Sequence, residues 1–507
     1  MAKIRLGIPE RSLHILAGRR LSTNDKIQNR KNGSIIMSPA TSPARDCVAC
    51  GALFILAALS VYLQGPGYLL WGDSFVKWEF AKAISQHGFG YPYNELSFTN
   101  WHPTFPIVLM AATLKLSGGM FLFSALQSTL LSLGTYAVLR RATSPYTTLA
   151  LTSILFLIPT NIIYSVTHTP EPLMTAFAIM LIGALLHKKK LVQKYGIHPF
   201  LIIISILFIT TVWIRPNFAI CAPIIAFFAF TRSAYRLLFA IALLGTSISL
   251  LHTWDKLLNV NSQDVSVISM AAEIVGISKM TNGATCDTCL DFIGNTESAR
   301  QNYRHEDAGY MLWEKDGGLT PEKVALIENT PKIRKLWWHS VTSAPLEFIE
   351  MKSIKAYWLY SGNSPTATTA TPMTTNWAGV VSEVSRTEAA CNCQVGPLRD
   401  QAAQLATNIR LPALEEKPLL GLVICLALIA SSLALPPQPA TAIRLLACTS
   451  ILYYAGFLLN MQRVEFRYYY PSWMMMLLAV VIFLQCITST ITTRVKHRYA
   501  LTPTTDV

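Results

Sequence analysis

The strongest constraint on this chain is a series of apolar stretches, each close to the length of a bilayer crossing. A spanning helix takes roughly 17–25 predominantly apolar residues, and about ten such stretches recur, near 48–64, 120–139, 146–166, 172–187, 198–214, 217–231, 237–254, 418–435, 440–459 and 469–488. Inside hydrocarbon no water is available to the backbone N–H and C=O groups, so such segments must satisfy them as helices. Composition agrees: of 507 residues, 52% are hydrophobic and only 14% charged, with a mean hydropathy of +0.37. The expected fold class is an all-α integral membrane protein with about ten transmembrane helices.

A net charge of +14 would suit a nucleic-acid binder. Here the basic residues gather in the N-terminal tail and in loops on one side, which is a topology signal, and no nucleic-acid partner is expected. The first 46 residues carry nine Lys or Arg and no apolar core, so the tail is expected to be cytoplasmic, without a signal-peptide pattern. Its Ser, Thr, Asn and Pro between Leu21 and Pro43 predict disorder, and Met37 is an alternative start. One stretch decides the layout: 103–117, which ends at Gly118-Gly119. If it crosses the bilayer, Lys188-Lys189-Lys190, Arg232 with Arg236, and the Arg494–Arg498 tail land outside. If it is interfacial or re-entrant, those clusters, Arg140-Arg141 and Arg444 all share the side of the N-terminus.

The second arrangement satisfies every basic cluster and is the one expected. It gives a basic cytoplasmic tail over 1–46, a transmembrane core over 47–254 with a first outer loop at 65–119, and a mostly helical extracytoplasmic insertion over 255–417. C-terminal transmembrane helices over 418–488 and a cytoplasmic tail over 489–507 complete it, in a plasma (inner) membrane. The lipid bilayer is then the first partner.

The unusual polar residues near span ends fall on the outer side of that layout. Asp73, in Trp71-Gly72-Asp73-Ser74, precedes a helical pattern of Val76, Phe80, Ala83 and Ile84 that ends at Gly88. Asp73 or Ser74 can serve as an N-cap. Alternatively, Asp73 is a carboxylate at the mouth of a low-dielectric cavity, where desolvation raises its basicity and suits it to deprotonate an acceptor. Glu79 on the same helix is expected to be solvated or paired with Lys77 or Lys82. The loop closes on Trp101-His102-Pro103.

Glu171, between two prolines, either complements a helix N-terminus or marks function at a membrane boundary. His168, three residues earlier, and His102 are candidate substrate hydrogen-bonders. Arg215, Arg463 and Arg467 either snorkel to headgroups or bind a phosphate bidentately. Tyr468-Tyr469-Tyr470 suits the same site or an interfacial belt.

The insertion is polar. Ser343-Ala344-Pro345 opens a helix with Pro in its first turn, and the Thr/Pro run 364–376 predicts a flexible loop. Its cysteines are Cys286, Cys289, Cys391 and Cys393. Two disulfides tying the ends of the insertion together are the first expectation, with three connectivities open, and a Cys₄ zinc site is the rival. Cys47-Val48-Ala49-Cys50 lacks the strand–helix context of a redox motif and reads as membrane-edge packing.

Five pieces in order resemble a known family. They are Gly-Asp after the first span, His-Pro-Thr-Phe-Pro at 102–106, His-Thr-Pro-Glu-Pro at 168–172, Arg-Pro-Asn at 215–217, and Glu-Phe-Arg-Tyr-Tyr-Tyr-Pro at 465–471. Together they are similar to the GT-C glycosyltransferases, in particular the protein O-mannosyltransferase-like, aminoarabinose-transferase-like and RgtA/B/C/D-like members, over most of 48–254 and 418–488.

The resemblance implies a multi-span helical enzyme with an outward cavity that moves a sugar from a polyprenyl-phosphate carrier to an extracytoplasmic glycan, lipid or protein acceptor. It implies acceptor activation by Asp73, an acid of the second outer loop at Glu171, and the family's late Arg-Tyr at Arg467 and Tyr468. The chain departs in having Ser74 where some relatives carry a second acid. That leaves a divalent metal open and no cofactor implied with certainty. The cysteine-bearing insertion has no counterpart. The rival functions are a transporter, for which mid-membrane ionisable residues or paired broken helices would be expected, and a non-catalytic polysaccharide-assembly protein.

Overall fold

The structure is a computed structural model and describes residues 43–65, 71–89, 102–260, 264, 266–307, 311, 317–319, 329–361, 398, 401, 412–459 and 466–500, without the side chains of 71–73, 75, 412–413 and 493–500. These residues form helices and turns and no strand, as expected of an all-α protein. Arg463, Cys391, Cys393 and the 364–376 run lie outside the described residues.

The chain begins with α1 (Pro43–Gln64), α2 (Trp71–His87), α3 (Thr104–Ser117), α4 (Phe121–Leu139), α5 (Pro145–Phe156), α6 (Pro159–Val166), α7 (Pro170–Leu186), α8 (Lys188–Tyr195) and α9 (Ile197–Ile214). A 3₁₀ segment (Pro216–Cys221) runs into α10 (Ala222–Ala229), and α11 (Ser233–Leu257) ends the first half. The insertion contributes α12 (Ser266–Met280), α13 (Thr296–Asn302), α14 (Thr330–Ser343) and α15 (Pro345–Ser361). The chain then returns through α16 (Pro412–Glu415), α17 (Pro418–Ser431), α18 (Pro437–Ala455), a 3₁₀ turn (Gly456–Leu459) and α19 (Phe466–Ala500).

Six of these helices are long and apolar enough to cross a membrane, or up to eight if each bent pair counts as one span. Shorter apolar helices occupy Thr104–Ser117, Pro216–Ala229 and Pro418–Ala434. Each of the ten expected stretches coincides with one of these helices or pairs. One of them, 146–166, is broken where an unbroken span was expected, and a second bend follows the end of the 172–187 stretch. Pro159 ends α5 and turns α6 by 80°, and the second break, 72°, falls at His187 before the lysine triplet of α8. Proline cannot donate to the preceding turn, which accounts for the first break.

Side-chain contacts define two opposite ends of the bundle. At one, Arg140 Nε lies 2.7 Å from Asp46 Oδ1, His187 Nε2 lies 2.9 Å from the Ala137 carbonyl, and Lys188 Nζ donates to the Ala229 carbonyl at 2.5 Å. At the other, Ser74 Oγ donates to the His168 carbonyl at 3.3 Å, His168 Nε2 lies 2.7 Å from Ser124 Oγ, and Thr104 Oγ1 donates to Asp255 Oδ1 at 2.9 Å. Helices α4 and α7 therefore run parallel, start beside start. They approach closely because glycine sits at the crossing: a Cβ on Gly183 would lie 3.0 Å from that of Ala137.

The insertion builds a second, smaller core from α12, α13, α14 and α15 around Ile274, Tyr303, Ile333 and Met351. Its disulfide corrects the sequence expectation. Cys286 bonds to Cys289, three residues away. Those two cysteines therefore close a local turn, do not tie the ends of the insertion together, and are not thiolates for zinc.

Candidate functional site

Local sequence rules bring an acid and a guanidinium together at the end of the bundle that carries His168. Pro170 and Pro172 pre-set the first turn of α7, and Glu171 between them sits where the helix's unpaired N–H groups favour a carboxylate. Arg215 is the last residue before Pro216, which disfavours helical backbone on its N-terminal side. It accordingly leaves α9 in an extended conformation (φ −147°, ψ 101°). Its Nη2 lies 3.1 Å from Glu171 Oε1, and the Glu171 side chain is 1% exposed. Neither carboxylate oxygen of Glu171 accepts a hydrogen bond from a described residue, so the contact is an ion pair with acceptor capacity to spare.

Arg467 and Tyr468 complete the group from the first turn of α19. Two guanidiniums approach the Tyr468 ring, Arg215 at 5.1 Å and Arg467 at 4.8 Å from its centre, and Arg467 Nη2 donates to the Tyr468 hydroxyl at 2.9 Å. Phe457, on the 3₁₀ turn, stacks on Tyr468 at 4.9 Å and carries Arg215 at 5.8 Å above its own ring. Two cations, one acid and two aromatic faces thus share one partly buried volume. The bidentate geometry of guanidinium suits an oxyanion.

The other expected residues fall out as follows. Asp73 lies inside the first turn of α2, which begins at Trp71; the expectation that Asp73 or Ser74 precedes this helix as its cap is corrected. Ser74 is buried, and its bond to the His168 carbonyl puts the start of α2 beside the start of α7. His168 is 1% exposed, held by Ser124 and packed edge-on against Phe123. His102 is half-buried at the bend before α3.

Sequence reasoning missed four participants at this end. Asp255 receives Thr104, and the ring of Phe105 packs against Trp213 and Trp254, fixing the start of α3 to the ends of α9 and α11. Glu415, 1% exposed, receives the Thr160 hydroxyl at 2.7 Å. Lys352 pairs with Glu273 and donates to the carbonyl of Leu458 at 3.1 Å, gripping the turn that carries Phe457. No local pattern marks these residues, because their partners lie roughly a hundred or more positions away, except for Glu273.

Among the described residues no group of three or more His, Cys, Asp or Glu is placed to hold a metal ion. A small crevice with room for little more than a water molecule is lined by Tyr360, Gly421, Cys425, Tyr454 and Tyr469. Its lining includes neither Glu171 nor Arg215. The chain matches no family model, no curated protein and no solved structure.

Proposed function

We propose that this protein is a membrane glycosyltransferase that moves a sugar from a polyprenyl-phosphate donor to an acceptor on the extracytoplasmic side, with inversion at the anomeric carbon. Asp73 acts as general base toward the acceptor. Arg215 and Arg467, with Arg463 as the remaining sequence candidate, hold the donor phosphate and stabilise it as it leaves. Glu171 orients Arg215. The observation that carries the reading is the pairing of buried Glu171 with Arg215 beside Arg467 and Tyr468, drawn from three helices far apart in the chain.

Topology supports it. Reading the contacts at the two ends of the bundle as the two sides of a bilayer gives ten crossings, with α3 lying at the outer surface. Arg140, Lys188 and Arg444, the basic residues flanking the spans at that end, then share the side of Asp46, as the positive-inside rule requires of short loops. The start of α2, which carries Asp73, falls on the side of Glu171.

The deciding experiment is sugar release from a radiolabelled polyprenyl-phosphate sugar by the purified protein in proteoliposomes. Release is expected from the wild type and loss of at least a hundredfold from Asp73→Asn at equal expression, in keeping with the roughly 10²–10⁴-fold supplied by general bases. Full activity in Asp73→Asn would remove Asp73 from the mechanism. Uptake of the intact sugar without release from its carrier would favour a transporter.

A further inference from the structure

The insertion holds a buried cation that the function above does not use. Lys355 lies on α15 one turn after Lys352, at the seam of the two cores: Met351 belongs to the small core and Leu359 to the main one. Lys355 is 2% exposed. The acid whose charge acts on it, Glu273, is already committed, since it pairs with Lys352 and accepts from Trp337 Nε1 at 2.8 Å, and a second acid, Glu306, acts on the neighbouring Tyr303. Among the described residues the Lys355 ammonium has neither a hydrogen bond nor an ion pair; its one partner is the ring of Tyr303, 5.9 Å from the ring centre.

Two further polar atoms beside it are unmet. The Tyr303 hydroxyl is buried without a hydrogen-bond partner, wedged against α12 where a Cβ on Gly276 would lie 2.6 Å from it. His305 packs edge-on to Tyr303 at 5.1 Å, and its Nδ1 is buried and unpartnered. Lys279 adds a second positive charge, its ammonium spent on the Tyr303 carbonyl at 2.8 Å. Burial, with Lys355 and Lys279 nearby, pulls His305 down to about 4, so it is neutral at physiological pH. Burial draws Lys355 down only to about 8, which leaves it mostly charged there.

A lysine so largely buried, with no protein acceptor for its ammonium, is costly. Water can occupy its donors but brings no charge to offset it. An oxyanion does both, and charge-assisted hydrogen bonds are about twice as strong as neutral ones. We propose that Lys355, Tyr303 and His305 form a binding site for a tetrahedral oxyanion, phosphate or sulfate, at the seam between the insertion and the helix bundle. The ligand receives hydrogen bonds from the Lys355 ammonium, the Tyr303 hydroxyl and the Nδ1–H tautomer of His305. It joins α12, the segment after α13, and α15 immediately beside the Lys352 grip on residues 456–459. The site is independent of the Arg215 and Arg467 pair and stands whether or not the chain transfers sugar.

The test is equilibrium binding of radiolabelled inorganic phosphate to the full chain purified in detergent, with sulfate and acetate as competitors. Arg215→Gln is tested beside the wild type, Lys355→Met and Tyr303→Phe. One saturable phosphate per chain is expected, displaced by sulfate and poorly by acetate, and retained in Arg215→Gln. Lys355→Met should weaken it at least tenfold and Tyr303→Phe several-fold, in line with roughly 1.5–3 kcal/mol for a hydrogen bond to a charged group. Should Lys355→Met fail to fold, Tyr303→Phe carries the test. Absence of saturable binding to the wild type, or binding by Lys355→Met or a folded Tyr303→Phe equal to the wild type, overturns the proposal. Binding lost in Arg215→Gln but kept in Lys355→Met also overturns it, while favouring the phosphate role given above to Arg215.

Discussion

Glu171 and Arg215 differ in how much water each retains, and that difference fixes what their substitutions do. The Glu171 side chain is 1% exposed, whereas that of Arg215 is 20% exposed and leans on two aromatic rings. Removing one partner of a buried pair costs about 3–5 kcal/mol because the other charge is stranded. Arg215→Leu strands the more deeply buried group and is expected to lower the thermal unfolding temperature in detergent more than Glu171→Leu does. The double variant should be more stable than Arg215→Leu alone. Equal and additive losses would mean that the two side chains do not share their charge.

Lys355 sets a pH dependence. Burial lowers its folded value to about 8, with Lys352 adding to that fall and Glu273 opposing it, while an unfolded lysine titrates near 10.5. Between those values the unfolded chain binds a proton that the folded chain does not, so stability rises with pH across that window. Below about 8 the penalty is complete and constant. Tyr303, pushed well above the ordinary tyrosine range by burial, and His305, already neutral, do not titrate there. In phosphate-free buffer the stability of the wild type relative to Lys355→Met should therefore climb from pH 8 to pH 10.5, by up to roughly 3 kcal/mol. A difference that stays flat over this range would show that Lys355 is solvated.

Helix α15 acts as a strut between the two cores. Near its middle, Lys352 holds Glu273 of α12 and the carbonyl of Leu458; one end later, the Tyr454 hydroxyl donates to the Leu359 carbonyl at 2.8 Å. The turn it grips holds Phe457 against Tyr468, so the insertion bears on the candidate site through main-chain atoms. Lys352→Met strands Glu273, which is 6% exposed, and frees the turn. Hydrogen exchange at residues 456–459 is expected to speed up at least tenfold in that variant, while the α4–α7 interface keeps its protection. Unchanged exchange at 456–459 would show that α18 and α19 hold the turn without the insertion.

The apolar helices and the polar residues at their ends were legible in the sequence because both depend on short-range rules: apolar length, a proline after Arg215, prolines around Glu171. The break after Phe156 was less so, since hydropathy averages across a bend, whereas the stretch expected at 172–187 already ended at the second bend. The roles of Asp255, Glu415 and Lys355 were not legible at all. Each is defined by contacts made through tertiary packing, and an isolated Lys in KSIK carries no sign that it will be buried.

For the molecule as a whole, the shortest of the ten segments proposed to cross is 216–229, and whether it crosses decides on which side the insertion lies. Six residues of 3₁₀ helix and eight of α-helix rise about 24 Å, short of a hydrocarbon core of about 30 Å. A short span is accommodated by local thinning of the bilayer at modest cost. Its two ends argue that it crosses: Arg215 precedes it beside Glu171, and the Ala229 carbonyl that ends it accepts Lys188 at the opposite, basic end. Three crossings then separate Tyr195 from Leu346, two exposed positions at 52% and 74%. In a chain whose exposed Cys47 has been replaced by Ser, Leu346→Cys should react with a membrane-impermeant maleimide on intact cells. Tyr195→Cys should react only after permeabilisation. Labelling of both from the same side would mean that 216–229 turns back within the bilayer, leaving Lys188 and Arg140 on the side of the insertion against the charge rule that orients every other cluster.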